Sequence, residues 1–170
     1  DVFYSISNCQ PGLRGVSLGN FLIKRVAEFL KRELPQLKTF CTLSPIPGLM
    51  AWLQRADAAA LGTAAPALAT LRSGCGGDLA VLTQAPRLAA LSGVAHHALW
   101  QLAAHYLVHV SPQSHGDPVA RFHLDNGARL ERLNAQANLS AKGLKESAGL
   151  MVNYLYDLAR IETCHDRFVQ

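Results

Sequence analysis

The sequence predicts an α/β domain in which a mixed sheet is flanked by helices. Residues 1–45 alternate between segments typical of strands and a segment typical of a helix, in the order strand, loop, helix, strand. Residues 49–110 are rich in alanine and leucine at helical spacing, which predicts a helical insertion. With 170 residues and 49% hydrophobic content, the chain is long enough to form the core of one compact domain.

The first predicted element is a strand that leads into a glycine-rich loop. Val2 to Ser7 alternates and is rich in β-branched and aromatic residues. Residues 8–19 contain one proline and three glycines, which favour a loop. The chain has no initiator methionine and opens directly in this strand-like segment. We therefore expect it to be a fragment that starts inside a larger domain and is truncated at the N-terminus.

An amphipathic helix and a second strand follow. Residues 20–34 place apolar side chains on one stripe and charged side chains on the other, and Pro35 ends the run. Thr39 to Ser44 reads as a strand that stops at the turn Pro45-Ile46-Pro47-Gly48. Strand, helix and strand in this order predict a parallel βαβ unit with a right-handed crossover.

The helical insertion is predicted to contain several helices, of which Val94 to Val110 is the clearest. After a polar loop at residues 111–118, two alternating segments flank Asp125-Asn126-Gly127, which predicts a β-hairpin. Alternation within it would direct His123 away from the apolar face, to the same side as Arg121. Residues 149–157 favour a last strand, although a helix continuing from Ala141 is the alternative.

Composition excludes several classes of protein. The formal charge of +4 and the pI near 9.0 suit an anionic ligand, but the basic residues are scattered, which argues against nucleic acid. No apolar run approaches the roughly 20 residues of a membrane helix, and no signal peptide is evident. A protein of the cytoplasm is therefore expected.

Neither the cysteines nor the histidines predict a metal site. The four cysteines are widely spaced and form no CxxC pair, which argues against zinc or a disulfide framework and fits a reducing compartment. His105 and His109 have the spacing of a zinc pair, but no Glu lies between them and no third ligand is evident. Packing explains these two histidines better.

Three features are candidates for chemistry. A glycine-rich turn between a strand and a helix can hold phosphate on free N–H groups, which makes Arg14 to Asn20 a possible anion cradle. Ser44 lies at the carboxyl end of a strand, where ligands gather in open sheets. His123, beside a tight turn, suits proton transfer. On spacing alone, a purely structural role is favoured for the loop and for Ser44.

Several separated blocks resemble the malonyl-CoA decarboxylase family. The blocks occur in the same order as in that family, and together they span nearly the whole chain. The blocks are Val2-Phe3-Tyr4-Ser5-Ile6-Ser7, Gly19 with Phe21-Leu22-Ile23-Lys24, Leu43-Ser44-Pro45-Ile46-Pro47-Gly48, Pro118-Val119-Ala120-Arg121-Phe122-His123-Leu124, Asn126-Gly127-Ala128 and Gly149-Leu150-Met151-Val152-Asn153-Tyr154-Leu155-Tyr156.

The resemblance implies a fold similar to GNAT-type acetyltransferases, in which the glycine-rich turn holds the CoA pyrophosphate. It makes residues 1–170 the C-terminal part of the catalytic domain, with a helical domain and the first strands placed ahead of it. The CoA-binding positions that it implies are Arg14, Gly15, Val16, Ser17, Leu18, Gly19 and Asn20. It also implies a catalytic pair of Ser44 and His123, with Tyr156 and Ser5 near the substrate.

The implied reaction is the cofactor-independent decarboxylation of malonyl-CoA to acetyl-CoA and carbon dioxide through a thioester enolate. His123 would deliver the proton, Ser44 would accept a proton and orient the imidazole, and Tyr156 would donate to the carboxylate or the enolate. A homo-oligomer, dimer or tetramer, in a bacterial cytoplasm is the expected setting.

Two positions depart from the family pattern. Ser17 stands where animal members carry Glu, and residues 134–138 lack an expected Trp and Asp. Two other functions remain open, which are a GNAT-type acyl-CoA transferase and an inactive CoA-binding fragment. Carbon dioxide release without an acyl acceptor would distinguish the decarboxylase from the transferase.

Overall fold

The computed structural model describes residues 3–4, 18–113 and 116–161. The chain divides into two compact units. One comprises Asp1–Ser44, Phe122–Arg132 and Val152–Gln170, and the other comprises Pro45–Arg121 and Leu133–Met151. In the described part of the chain, no helix is long and apolar enough to cross a membrane.

A four-stranded sheet runs in the order β1-β2-β4-β3. Its strands are β1 (Phe3–Tyr4), β2 (Thr39–Pro45), β3 (Arg129–Asn134) and β4 (Met151–Asp157). β1 pairs with β2 in parallel, and the register places Phe3 opposite Thr42. The helix α1 (Leu18–Glu33) lies between these two strands in the chain. The predicted α/β class, the parallel βαβ unit and the last strand are therefore confirmed.

The strand β4 runs antiparallel to both of its neighbours, β2 and β3. Backbone N–H of Leu158 donates to the carbonyl of Lys38 at 3.0 Å, and the side-chain amide of Asn153 donates to the carbonyl of Thr42 at 3.0 Å. Residue numbers thus rise along β4 as they fall along β2. This pairing places Ser44 and Tyr156 on neighbouring strands.

The helix α1 forms where the sequence predicts an amphipathic helix. Ala27 and Leu30 are buried, whereas Phe21 and Phe29 remain largely exposed. Lys31 and Arg32 in the last turn complement the negative end of the helix dipole, and Pro35 follows.

The second unit contains the predicted helical insertion. Its helices are α2 (Leu49–Arg55), α3 (Ala58–Leu61), α4 (Ala65–Gly74), α5 (Ala85–Ala89), α6 (Gly93–His105) and α8 (Ala141–Ser147), whereas α7 (Pro118–Asp125) begins in this unit and ends in the first. Two 3-10 turns, Gly62–Ala64 and Leu79–Thr83, and a π-helical segment, Tyr106–Val110, complete it. The prediction of several helices between residues 49 and 110 is confirmed.

Packing of α4 against α6 forms the centre of this unit. Leu68 and Leu71 of α4 and Leu102 of α6 are almost fully buried. Gly74 lies so close to the methyl group of Ala95 that a side chain there would collide with it. Small and branched apolar side chains at helical spacing therefore close this core.

The predicted hairpin around His123 is wrong, because residues 118–125 form the helix α7. Asn126 and Gly127 end that helix. The N–H of Ala128 donates to the carbonyl of His123, and the N–H of Gly127 donates to that of Leu124, both at 3.0 Å. Gly127 has φ of 83°. These bonds define a Schellman motif, which requires the same positive φ that an Asn-Gly hairpin turn would use.

Asp117 begins α7 and also holds the turn that precedes α2. Its Oδ1 accepts the N–H groups of Val119 and Ala120, and Pro118 occupies the first helical position. Its Oδ2 accepts the N–H of Gly48 at 2.8 Å, and the hydroxyl of Tyr106 is a further hydrogen-bond partner. A buried carboxylate can accept all of these bonds.

We predict that Gly48→Ala lowers the free energy of unfolding by about 1 to 3 kcal/mol, the usual cost of overpacking. A Cβ at Gly48 would collide with the hydroxyl of Tyr106 and would approach Asp117 closely. Urea denaturation of the variant measures the loss. The same substitution in a Tyr106→Phe background should cost less, and an equal cost in both backgrounds would contradict the clash.

Candidate active site

One buried face of the sheet carries both aromatic and polar side chains. Exposure alternates along β2 and along most of β4, so every second residue points to this face. The residues that point to it are Phe40, Thr42 and Ser44 from β2 and Val152, Tyr154 and Tyr156 from β4. Polar groups buried this deeply need hydrogen-bond partners within the protein.

His123 supplies those partners from α7. Its Nε2 lies 3.0 Å from Ser44 Oγ, and its Nδ1 lies 2.6 Å from the hydroxyl of Tyr156. Ser44 and Tyr156 are 0% exposed and His123 is 2% exposed. The three predicted catalytic residues therefore form one continuous hydrogen-bonded chain.

Aromatic rings hold the imidazole in place. The ring of Tyr154 stacks on His123 with centroids 4.4 Å apart and planes 19° apart. Phe122 meets the imidazole edge-on, and Phe40 stacks on Tyr156 at 4.9 Å. These contacts restrict the orientation of His123 and surround it with material of low polarity.

This environment keeps both titratable members of the chain neutral. Desolvation lowers the pKa of His123 from 6.5 to about 4. Desolvation also raises the pKa of the Tyr156 phenol well above its ordinary value. Near neutral pH the pair is therefore an uncharged imidazole and an intact phenol.

The two distances leave the direction of the hydrogen bonds to the tautomer of His123. A buried phenol retains its proton, and Nδ1 of His123, 2.6 Å from its oxygen, can accept it. A neutral imidazole that accepts on Nδ1 carries its own proton on Nε2, which then donates to Ser44. The arrangement can thus move a proton from Tyr156 through His123 towards Ser44.

The other predicted site residues, Ser5 and residues 14–20, are described only in part. Leu18, Gly19 and Asn20 lie in the first turn of α1. Ser5, Arg14, Gly15, Val16 and Ser17 lie outside the described residues.

Sequence reasoning missed Thr42. Its Oγ1 lies 3.0 Å from Ser44 Oγ, and the residue is 3% exposed. Its position two residues before Ser44 on a strand was the available signal, because such residues share a face. A threonine in a strand is so ordinary that this signal alone does not predict a site.

His105 and His109 have packing roles in the second unit. The ring of His105 stacks on Trp52 with centroids 6.1 Å apart, and the two histidine rings lie 4.9 Å from each other. Among the described residues, no three His, Cys, Asp or Glu side chains are grouped so as to hold a metal ion. Cys41 and Cys75 are free thiols.

A buried serine, histidine and tyrosine chain on an α/β sheet is the kind of site with which acid–base enzymes transfer protons. The family model of the malonyl-CoA decarboxylase C-terminal domain matches residues 1–170. The chain therefore belongs to the malonyl-CoA decarboxylase family.

Individual relatives agree with that assignment. The chain is 40% identical to the mitochondrial malonyl-CoA decarboxylase of Mus musculus over 174 residues, 92% of this chain and 35% of the relative. The goose relative, from Anser anser anser, is 36% identical, over 92% of this chain and 34% of its own length. The chain thus spans about a third of the length of these curated relatives.

Solved bacterial structures share the fold. The crystal structure of malonyl-CoA decarboxylase from Cupriavidus metallidurans superposes with a TM-score of 0.73 at 44% identity, covering 95% of this chain and 42% of that one. The structure from Rhodopseudomonas palustris gives 0.68 at 45% identity, covering 97% of this chain and 37% of that one.

We predict that His123 makes the stability of the fold depend on pH. In the unfolded chain the imidazole binds a proton below about 6.5, whereas in the folded protein it does so only below about 4. The unfolded state therefore binds more protons between these values, and the free energy of unfolding should fall as pH is lowered from 6.5 to 4.

Urea denaturation across this range measures the effect, with a slope of at most about 1.4 kcal/mol per pH unit from one group. The His123→Gln variant has no imidazole at this position, so its free energy of unfolding should lack this part of the pH dependence. The exposed His97 offers the matched control, since His97→Gln should keep it. Identical pH profiles for the wild-type protein and His123→Gln would contradict the prediction.

Proposed function

We propose that the protein containing this chain decarboxylates malonyl-CoA to acetyl-CoA and carbon dioxide. The observation that carries the proposal is the buried chain of Ser44, His123 and Tyr156 in a member of the malonyl-CoA decarboxylase family. The relatives named above are malonyl-CoA decarboxylases, and this supports the same substrate and product here.

The substrate itself can accept the electrons of the breaking bond. Loss of carbon dioxide leaves an electron pair on the α-carbon, and the adjacent thioester carbonyl delocalises it as an enolate. The protein then has to stabilise the charge on the thioester oxygen and to deliver one proton to the α-carbon. We propose that no organic cofactor or metal is needed for these tasks.

His123 is the proposed source of the proton, and Ser44 is the group that passes it on. Both ring nitrogens of His123 are already bonded, so the imidazole reaches a substrate through the Ser44 hydroxyl. The Ser44 O–H bond breaks as the C–H bond forms, and the Nε2 proton replaces the one that Ser44 loses. The phenol proton of Tyr156 follows to Nδ1, and one proton from solvent restores the chain.

A neutral relay suits this reaction. The enolate of a thioester is a strong base, so an uncharged hydroxyl group can protonate it. Desolvation holds the pKa of His123 near 4, which keeps the imidazole neutral in the cell. The role proposed for Tyr156 is to donate its phenol proton to Nδ1 of His123. This differs from the direct contact with the substrate that the family resemblance implied.

CoA is proposed to bind at the start of α1, through residues 14–20, with Ser5 near the acyl group. Support comes from the order of the elements, because α1 follows β1 and precedes its parallel neighbour β2 in the chain. The first turn of such a helix presents the positive end of its dipole, which favours an anionic phosphate. No acidic residue lies in the first turn of α1 to repel a phosphate.

The setting is proposed to be a homo-oligomer, dimer or tetramer, in the cytoplasm of a bacterium. The bacterial origin is supported by identities of 44% and 45% to the two bacterial structures, against 36% and 40% to the goose and mouse relatives.

We predict that Ser44→Ala and His123→Ala each lower the turnover number by about 10² or more, the usual contribution of acid–base catalysis. A proton donor matters mainly in the transition state, so KM should change little. The test measures carbon dioxide and acetyl-CoA released from malonyl-CoA by the full-length gene product. His97→Ala, which replaces an exposed histidine, is the control.

The products separate this function from its rivals. Release of carbon dioxide without an acyl acceptor supports the decarboxylase, and dependence on both residues supports the assigned site. Transfer of the acyl group to an amine without carbon dioxide would support an acyltransferase. CoA binding without either product would leave a CoA-binding protein.

We predict that Tyr156→Phe lowers turnover by about tenfold, because it removes one hydrogen bond from the relay. The phenyl ring keeps the stack on Phe40, so the substitution should affect proton transfer more than folding. Steady-state kinetics and thermal unfolding, measured together, test this. Tyr106→Phe, which removes a buried hydroxyl bonded to Asp117, provides the comparison for a loss that affects stability alone.

A further inference from the structure

Thr42 extends the buried hydrogen-bonded chain by one hydroxyl group. Its Oγ1 is 3.0 Å from Ser44 Oγ, so Ser44 has Thr42 on one side and His123 on the other. The amide of Asn153 holds the backbone carbonyl of Thr42 at 3.0 Å, which fixes this point of β2 beside β4. The position of the Thr42 hydroxyl is therefore set by the sheet.

The direction of the hydrogen bonds determines whether the Thr42 hydroxyl acts as a donor or as an acceptor. In the direction in which Tyr156 donates to Nδ1, Nε2–H donates to Ser44. Ser44 already receives a proton from His123, so its own proton must point elsewhere. The oxygen within hydrogen-bond distance on the other side of Ser44 is Oγ1 of Thr42.

Without that acceptor this direction of the chain loses its advantage. A buried hydroxyl proton with no acceptor is costly, whereas an oxygen that accepts no bond is tolerated more easily. If Thr42 lost its hydroxyl, the Ser44 proton would have no acceptor in this direction, and donation from Ser44 to Nε2, with the His123 proton on Nδ1, would become competitive. Ser44 would then have no proton directed away from His123, towards a substrate.

We propose that Thr42 is a positioning residue that acts through Ser44. Its Oγ1 accepts the Ser44 proton in the resting protein and so keeps His123 in the Nε2–H tautomer. This is the tautomer from which Ser44 can release its proton and be reloaded by His123. The inference deepens the proposed function, on which its kinetic part rests, and adds a member to the relay.

The kinetic test compares two substitutions of Thr42 in the full-length gene product. Thr42→Val keeps the branched shape and removes the hydroxyl, whereas Thr42→Ser keeps the hydroxyl. Thr42→Val should lower the turnover number for malonyl-CoA about tenfold with little change in KM, and Thr42→Ser should retain most of the turnover. Thermal unfolding should show that Thr42→Val remains folded at the temperature of the assay.

A double substitution shows whether Thr42 acts through Ser44. In a Ser44→Ala background, Thr42→Val should cause no further loss of turnover, because the proton that it positions is absent. Equal losses in both backgrounds, or an equal loss in Thr42→Ser and Thr42→Val, would overturn the proposal.

The tautomer is measured independently of activity. The ¹⁵N shifts of the His123 ring should report Nε2–H in the wild-type protein and a shift towards Nδ1–H in Thr42→Val. Unchanged ring shifts would overturn the proposal even in an active enzyme. If the wild-type protein releases no carbon dioxide, the proposed function fails, while the tautomer change still decides the part played by Thr42.

Discussion

The hydrogen bonds on the two ring nitrogens of His123 determine how the first unit is built. An imidazole that is 2% exposed must have partners for both nitrogens, because an unsatisfied polar group in this environment is costly. Ser44 and Tyr156 provide them from different strands, so β2 and β4 must be neighbours in the sheet. The antiparallel register that aligns Thr42 with Asn153 brings this about.

The same burial decides the chemistry. Because the surroundings disfavour charge, the imidazole and the phenol are neutral, and their protons can only be shared along the chain. In the proposed reaction, such a chain passes one proton to a strongly basic enolate and regains one from solvent. Aromatic stacking by Tyr154 holds the imidazole ring in its orientation.

The helix that carries His123 depends on its ends. Eight residues are too few for a stable isolated helix, so α7 relies on capping and packing. Asp117 satisfies the N–H groups of the first turn, and the Schellman motif at Gly127 satisfies the last carbonyls, including that of His123. Ala120 and His123, three residues apart, then share the buried face.

Local patterns in the sequence were sufficient for much of this structure. Alternation predicted β2 and β4, the amphipathic stripe predicted α1, and the alanine-rich and leucine-rich segment predicted the helices of the second unit. The resemblance to the family singled out Ser44, His123 and Tyr156, which the structure joins into one chain. The CoA-binding roles of residues 14–20 remain predictions.

Tertiary structure decided what local patterns left ambiguous. Pro118 to Asp125 satisfies both a strand period and a helix period, and Asn126-Gly127 suits a hairpin turn as well as a helix end, because both require a glycine with positive φ. Likewise, alternation predicts that Thr42 and Ser44 point to the same face of the sheet, but it does not predict which side chains pack against that face. By itself the sequence determined periodicity, charge and the order of the elements. Which groups became buried hydrogen-bond partners was decided only by packing, because burial makes an unpaired polar group too costly to leave unsatisfied.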